Sequence, residues 1–554
     1  FIARDVNSLI HTNNKFNSLV WTNFLNYQVD LGSSRLGFLV GVESIDDHSE
    51  SIQGVKDNFS VQTEEFFVLS AGTSNGNSFG EASDSRLLSQ FGKINYSLMD
   101  KYLIAVTLRR DGSSRFGVDD RYGVFPSVSG AWKIGKEDFI QNVTFLSDLK
   151  LRAGYGVVGN QDIGPYPSLG LFAPRYGQTA SQIDNIGHVG FFDQYWNIGT
   201  AYDLNGANTG NLPSGFASIQ AANPGLKWES TTEVNVGLDF ALFNAALLGS
   251  FDYFTKTTEG ILIQPPVASA VGEGQLRFVN GATIENKGWE LNLNYLKELS
   301  GDFSFSVNLN ASSFKDKITE LPEEVRAAFP GNAEQDILGQ SNLSIFGYRS
   351  DGIFQSQEEV NNHATQVGAA PGRIKYLDLN NDGTVDALDQ TFLGTELPGL
   401  EYGIRVDAYY KNFDFSMFGS GISGRDGFDN YRFLNEFIRG RENVGPGVFD
   451  AWTPTNTGAS IPALTLSDGN NETRTSDYLI VSTSYFKMRN IQLGYTLPAS
   501  ITDRWGIERL RIYSIVDNPF VIKSSEFAGP DPERVDFNLI PVPRSLSFGI
   551  NLSL

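Results

Sequence analysis

Cysteine is absent from all 554 residues, which excludes disulfides, thiolate metal sites and cysteine nucleophiles. Histidine and methionine are nearly as scarce, at 4 and 3. His11, His48, His188 and His363 are scattered without metal-ligand spacing, and the Ser-rich turn DGSSRFG has no GxSxG geometry, so no enzyme constellation stands out. No run of about 20 apolar residues exists, so no helix of this chain can span a bilayer; only strands closed into a barrel could. No Lys/Arg cluster relieves the formal charge of −22, which argues against a nucleic-acid partner because nothing would neutralise the phosphates. The acidic excess is expected on solvated loops. No Pro-rich linker or charge run divides the chain, so one large architecture is the simplest reading. A signal peptide is also missing. Phe1 opens in mid-pattern, and an N-terminal part is expected upstream of it.

What the chain has in quantity is glycine, phenylalanine and tyrosine, at 57, 41 and 21, a composition of turns and strands. The strands alternate clearly. Val234, Val236, Leu238 and Phe240 face one way while Glu233, Asn235 and Asp239 face the other. Trp289, Leu291, Leu293 and Tyr295 oppose Glu290, Asn292 and Asn294, and Phe303, Phe305, Val307 and Leu309 oppose Ser304, Ser306, Asn308 and Asn310. Similar segments recur to the chain end, where Leu546, Phe548, Ile550, Leu552 and Leu554 alternate. The pattern predicts roughly sixteen strands of about ten residues each, long enough to cross the hydrocarbon layer at a tilt. Short turns such as Met99-Asp100 alternate with long excursions at about 48–82, 160–226, 320–343, 355–399 and 425–477. That asymmetry is what an antiparallel transmembrane β-barrel shows, and no fixed repeat period supports a solenoid or propeller. Short helical inserts are expected at 357–366 and 500–510.

One loop carries chemistry of its own. KYLDLNNDGTVDALDQTFL, from Lys375, places oxygen ligands at Asp378, Asn380, Asp382, Asp386 and Asp389, with Gly383 at the sixth position and the Thr384 carbonyl at the seventh of a twelve-residue calcium loop. Asp389 stands where a bidentate Glu is usual. The expected ion is Ca2+, with Mg2+ as the alternative, and its expected role is structural.

Several segments are recognisable as a set: DGSSRFG (Asp111 to Gly117), YGVFPSVSGAW (Tyr122 to Trp132), LSDLKLRAGYGVVGNQ (Leu146 to Gln161), NPGLKWESTTEVNVGLDFALF (Asn223 to Phe243), NKGWELNLNY (Asn286 to Tyr295), YFKMRNIQLGYTLP (Tyr485 to Pro498), IYSIVDNPF (Ile512 to Phe520) and the closing PRSLSFGINLSL. In this order, from about residue 90 to the end, they resemble the barrel of SusC/RagA-type TonB-dependent outer-membrane transporters. The resemblance implies a bacterial outer-membrane barrel of 22 strands preceded by a TonB box and a plug domain, neither of which is in this sequence. Residues 1–554 are therefore expected to be the C-terminal part of one barrel that does not close by itself. In DGSSRFG, Asp111 and Arg115 are expected to pair across a tight turn. The family commonly ends in an aromatic residue, whereas this chain ends in Leu554.

The resemblance further implies import of an oligomeric nutrient, glycan or peptide, driven by a TonB complex. It also implies a SusD-like surface lipoprotein lying as a lid over the long loops, in an assembly that is often dimeric. A siderophore or cobalamin receptor is the alternative within transport; a passive porin or scaffold barrel is the alternative outside it. For substrate contact the candidates are Phe191, Phe192, Tyr195 and Trp196 in GFFDQYWN, whose flat rings stack on sugars or apolar side chains.

Overall fold

The computed structural model describes residues 7–61, 63–74, 78–174, 216–264, 277–322, 337–438, 443–533 and 542–554. Among them, fifteen strands form one antiparallel sheet in simple chain order. They are β1 (Ser8–Leu31), β2 (Ser34–Asp57), β3 (Ser78–Leu98), β4 (Tyr102–Ser113), β5 (Tyr122–Lys133), β6 (Leu146–Asn160), β7 (Glu229–Leu242) and β8 (Leu247–Ile263). β9 (Val279–Ser300), β10 (Phe303–Glu320), β11 (Leu400–Tyr410), β12 (Phe413–Ser423), β13 (Tyr485–Thr496), β14 (Arg509–Lys523) and β15 (Ser545–Ser553) follow. β1 and β15 are the two edges of this sheet. No helix among the described residues is long and apolar enough to cross a membrane.

The ladder turns alternation along each strand into two continuous faces. Tyr27, Phe38, Ile94, Val106 and Val128 are matched across β1 to β5, Tyr155 and Val234 continue the row, and two residues along the strands Val236, Tyr253 and Trp289 are matched on the same face. These side chains are unburied by protein, as a lipid-facing band requires; Ile94, Val106, Val128 and Val234 are all exposed. Where glycine interrupts the sheet, a neighbouring ring covers the gap. Phe240 lies over Gly249, its cross-strand partner, and Tyr513 over Gly549.

Hairpin connections sort by length onto two rims. On the short-turn rim, Met99 and Asp100 both have positive φ (52° and 53°), the backbone of the tight turn whose twist matches the flanking strands. Aromatic pairs ring this side: Tyr102 with Trp132, Phe145 with Phe243, Phe303 with Tyr410, and Phe413 with Tyr495. Glu137 anchors the first pair, accepting from the Tyr102 hydroxyl (2.7 Å), the Trp132 indole (3.0 Å) and Lys101 Nζ (2.9 Å). Those donors hold its carboxyl down at about 2.

The first strands run longer than the alternation predicts: β1 and β2 have 24 residues each and β3 has 21. Residues 48–57 and 78–82, expected in an excursion, are therefore ladder. Polar cross-strand bonds such as Ser51 to Asn14 (2.8 Å) and Gln53 to Thr12 (3.1 Å) let the pairing continue past the apolar band, where both faces meet water. The helices are shorter than expected. The first spans Gln357–Asn362 and is capped by Ser356, whose hydroxyl accepts from the Glu359 amide. The second spans Ala499–Thr502, and its 3-10 extension stops at Gly506 (φ 67°) before β14 starts.

The recognisable motifs meet at one node on the long-loop rim. Phe116, Ile163 and Leu226 bury together, with Trp228 tilted against Phe116 at 4.9 Å. The Arg115 guanidinium donates to the Gln161 carbonyl (2.9 Å), so it does not pair with Asp111. Asp111 instead takes Arg109 (2.8 Å), because both lie on β4 two residues apart and share a face. A Cβ on Gly117 would meet the Pro224 carbonyl oxygen at 1.9 Å, a backbone atom with nowhere to go. Gly117→Ala should therefore destabilise the barrel by about 1–3 kcal/mol, whereas Gly301→Ala, with nothing within 4 Å, should be near neutral. Unfolding temperatures of the two variants in detergent check this, and equal values would refute it.

Candidate functional site

The inward face of the sheet is polar, and its charges are held in cross-strand clusters. Arg152 of β6 bridges Asp239 of β7 (2.8 and 2.9 Å) and Asp252 of β8 (3.0 and 3.0 Å), with Lys150 also reaching Asp239 at 3.2 Å. Gly237 lies between Arg152 and Asp252 in register, and a Cβ there would sit 2.4 Å from Asp252 Oδ1. The same device recurs at β12 to β14, where Arg511 crosses Gly494 to reach Asp414 (2.8 Å). Arg405 pairs with Asp407 along β11, and Arg109 with Asp111 along β4. Higher on the wall, Glu290, Asn292, Asn310, Ser312, Glu401 and Arg489 line a recess of about 440 Å3. Alternation showed that this face is wet; it did not show which arginine would find which carboxylate, because the partners are 87 to 100 residues apart. A glycine flanked across strands by opposite charges is the signal that would have found them.

Over the long-loop rim, the β10–β11 and β12–β13 connections fold into a layer with its own core. Ile374, Tyr376, Val385, Phe433, Phe437 and Leu479 bury together there. Phe433 comes from a helix that periodicity did not reveal, Asn430–Glu436, capped by the fully buried Asp429. Its buried Glu472 and Gln366 side chains are satisfied. Glu472, 1% exposed, accepts from the Ile374 amide (2.8 Å) and Arg373 (2.7 Å), and Gln366 bonds both the Ile374 carbonyl and Asn470 at 2.8 Å. Arg474 lies over the Tyr348 and Tyr376 rings, 4.5 Å from each centroid. Burial pushes the Tyr376 and Tyr478 phenols up, and burial also raises the carboxyl of Glu436, which accepts from the Tyr478 hydroxyl.

The acidic loop is part of this layer. Val385 tucks into the core and, with Gly383, bridges Thr365 at 2.9 and 2.8 Å. Gly383 has φ 87°, as the sixth position of such a loop needs. Its carboxylates close on loop amides: Asp378 Oδ2 accepts from Gly383, Asp382 Oδ1 from Thr384 (each 2.9 Å) and Asp386 Oδ1 from Leu388 (2.8 Å). Asn380 Oδ1 takes the Asp382 amide at 2.9 Å. Asp389 is fully buried and accepts from Leu379 (2.7 Å) and Asp386 (2.8 Å), so it closes the loop end to end. Asp378 Oδ1 is buried with no hydrogen-bond partner. Among the described residues no three carboxylate or imidazole groups converge as a metal cluster. Phe191, Phe192, Tyr195 and Trp196 lie outside the described residues.

A second loop feature, absent from the sequence reading, is the docking of residues 524–533 by cations. Lys487, 4% exposed, donates to Asp531 (2.6 Å) and Glu533 (3.1 Å), and Arg489 holds Glu533 through two bonds of 2.7 Å. Arg425 reaches the Pro532 carbonyl at 2.6 Å. Arg489 and Lys487 hold the Glu533 carboxyl at about 2 instead of 4.5. A depressed acid contributes stability above its unfolded pKa and loses it as pH falls through the folded one, so docking should persist to about pH 4.5 and loosen toward 2. A fluorophore on Ser525→Cys in this cysteine-free chain should report that loosening as falling anisotropy, and Arg489→Gln should move it to higher pH. Unchanged anisotropy down to pH 2 would contradict the ionic latch.

Comparison with known proteins agrees with this architecture. A family model described as TonB dependent receptor-like, beta-barrel, matches residues 3–335. TonB-dependent receptor P3 of Formosa agariphila is 29% identical, aligned over 96% of this chain and 52% of its own length. TonB-dependent receptor SusC of Bacteroides thetaiotaomicron is 31% identical, over 85% of this chain and 44% of its own. The structure of the RagAB peptide transporter superposes with a TM-score of 0.77 at 22% identity, covering 99% of this chain and 56% of that one. The chain thus spans about half the length of the curated relatives it matches. With the alternating sheet, the two rims and the motif node, these matches show that the chain belongs to the TonB-dependent receptor β-barrel family of the outer membrane, in its SusC/RagA-type branch.

Proposed function

We propose that this chain forms the wall and outer loops of an importer that takes up an oligomeric nutrient, glycan or peptide, with energy delivered through TonB. The observation that carries the reading is the polar inner wall, which runs in register across the sheet and holds wide polar recesses. A wet wall of this kind conducts passively unless something fills it, so selective uptake needs a movable plug contributed by sequence outside these residues. A SusD-like lipoprotein suits the long-loop face. Its contact is assigned to the 160–226 and 425–477 connections, the second of which is braced by the loop-layer core. Labelled-oligomer uptake should fall to background when the TonB box of the full-length transporter is deleted or the proton motive force is collapsed. Equal rates with and without it would favour a passive porin.

We further propose that the acidic loop takes a divalent cation, Ca2+ ahead of Mg2+, through Asp378, Asn380, Asp382 and the Thr384 carbonyl, with Asp386 and Asp389 shaping the far side. The ligand spacing, the positive φ of Gly383 and the unpartnered Asp378 Oδ1 support it. The ion would be a staple for the loop layer and would take no part in chemistry. Calcium titration of the full-length transporter by calorimetry should give a site that Asp382→Ala weakens roughly tenfold or more, with oxygen-to-ion distances of about 2.4 Å in a calcium-soaked structure. No heat of binding at millimolar calcium would sink the assignment.

A further inference from the structure

The outward face of β9 and β10 changes character just above its apolar band. Their register is unbroken from the pair Ile284 and Ile318 to the pair Glu298 and Ser304. The face that carries Trp289, Leu291 and Leu293 therefore continues through Lys287 and Glu285, and the face that carries Leu309 and Ala311 continues through Lys315 and Lys317. Lys287 and Lys315 are direct cross-strand partners, and Lys317 is opposite Glu285. On the other side, β8 sets Thr255 beside Lys287 and Thr257 beside Glu285. Like charges placed directly opposite destabilise a sheet unless an anion lies between them. Glu285 is committed to Lys287 at 2.6 Å, and among the described residues no carboxylate makes an ion pair with Lys315 or Lys317. Both of those lysines are exposed.

The height of this patch identifies its partner. Trp289, stacked on Phe251, marks the upper end of the apolar band, and Lys287 is two residues beyond it, about 7 Å along the strand. That is headgroup level for a lipid whose chains lie on Trp289, Leu291 and Leu309. A free anion approaching a chain of net charge −22 meets general repulsion, whereas a lipid is delivered laterally and held by its chains.

We propose that Lys287, Lys315 and Lys317, with the Thr255 and Thr257 hydroxyls, bind the phosphate of an anionic lipid headgroup on the outward face of β8 to β10. Three ammonium groups meet two carboxylates, Glu285 and, further along, Glu320, which accepts from the Thr283 hydroxyl (3.2 Å); the patch stays cationic, and a phosphate between Lys287 and Lys315 turns their repulsion into two charge-assisted contacts.

The test uses the full-length transporter in neutral detergent, titrated with dimyristoyl phosphatidic acid or dimyristoyl phosphatidylcholine and read by native mass spectrometry. Lys287→Gln with Lys315→Gln should weaken phosphatidic acid retention about tenfold while leaving phosphatidylcholine unchanged. Lys256→Gln, on the inward face, should retain the lipid as the parent does. Lys315→Glu controls for folding: it places opposite charges across the strands, so the unfolding temperature should hold or rise while the anionic lipid is lost. Retention of phosphatidic acid by the double variant or by Lys315→Glu would overturn the proposal. So would equal retention of both lipids by the parent, and displacement of the lipid by millimolar inorganic phosphate would show a free-anion site instead.

Discussion

Every backbone amide and carbonyl within the hydrocarbon layer must find a partner in the protein, and this requirement governs the rest of the structure. With no helix suited to the task among the described residues, strand pairing is the remaining route, and antiparallel pairing in chain order supplies it. Pairing then fixes side-chain direction, since a one-residue slip would send the whole apolar row inward and the arginines into lipid. The unbroken register of β1 with β2, and that of β9 with β10 from Ile284 to Glu298, are that constraint made visible. Register shifts occur toward both rims, as at Met488/Asn490 on the long-loop side and at Leu146/Asp148 and Glu298/Ser300 on the short-turn side, where water is again available.

Much of the barrel was legible because its code is short-range. Period-two alternation at residues such as Val234, Val236 and Leu238 needs no knowledge of distant sequence, and the turn at Met99-Asp100 is read from the abrupt end of one such run. Strand ends were less legible. Past the membrane band both faces of β1 and β2 are wet, so the alternation that marks a strand fades while the hydrogen bonds continue. The pairing of Asp111 was misjudged for a related reason: Arg115 looked nearer across a turn, yet β4 extends through Ser113 and puts Arg109 on the same face.

The loop layer was the least legible part. Its core joins Ile374 and Tyr376 to Phe433 and Leu479, residues that share no periodic segment and meet only after both connections have folded. The buried Glu472 is a surface residue by every local criterion; burial is possible because Ile374, Arg373 and Asn470 supply its donors. The acidic loop was marked in the sequence by its ligand spacing, and the structure adds that its carboxylates engage the loop's own amides, with Asp378 Oδ1 left over. Its anchor is Val385, a single apolar side chain that ties this loop to the same core.

The pairing of lumenal charges has a bearing on permeation. Asp239 and Asp252 are held by Arg152, Asp414 by Arg511 and Asp407 by Arg405, so those stretches of wall act as a lattice of fixed dipoles instead of a uniformly charged tube. Fields from such pairs fade within a few ångströms and are further cut by mobile ions over roughly 8 Å at physiological salt. A solute moving along them is sampled through contact and hydrogen bonding more than through its net charge. In the importer proposed above, discrimination by charge, and any sensitivity of capture to ionic strength, would then fall to the mouth of the barrel, before the solute has entered.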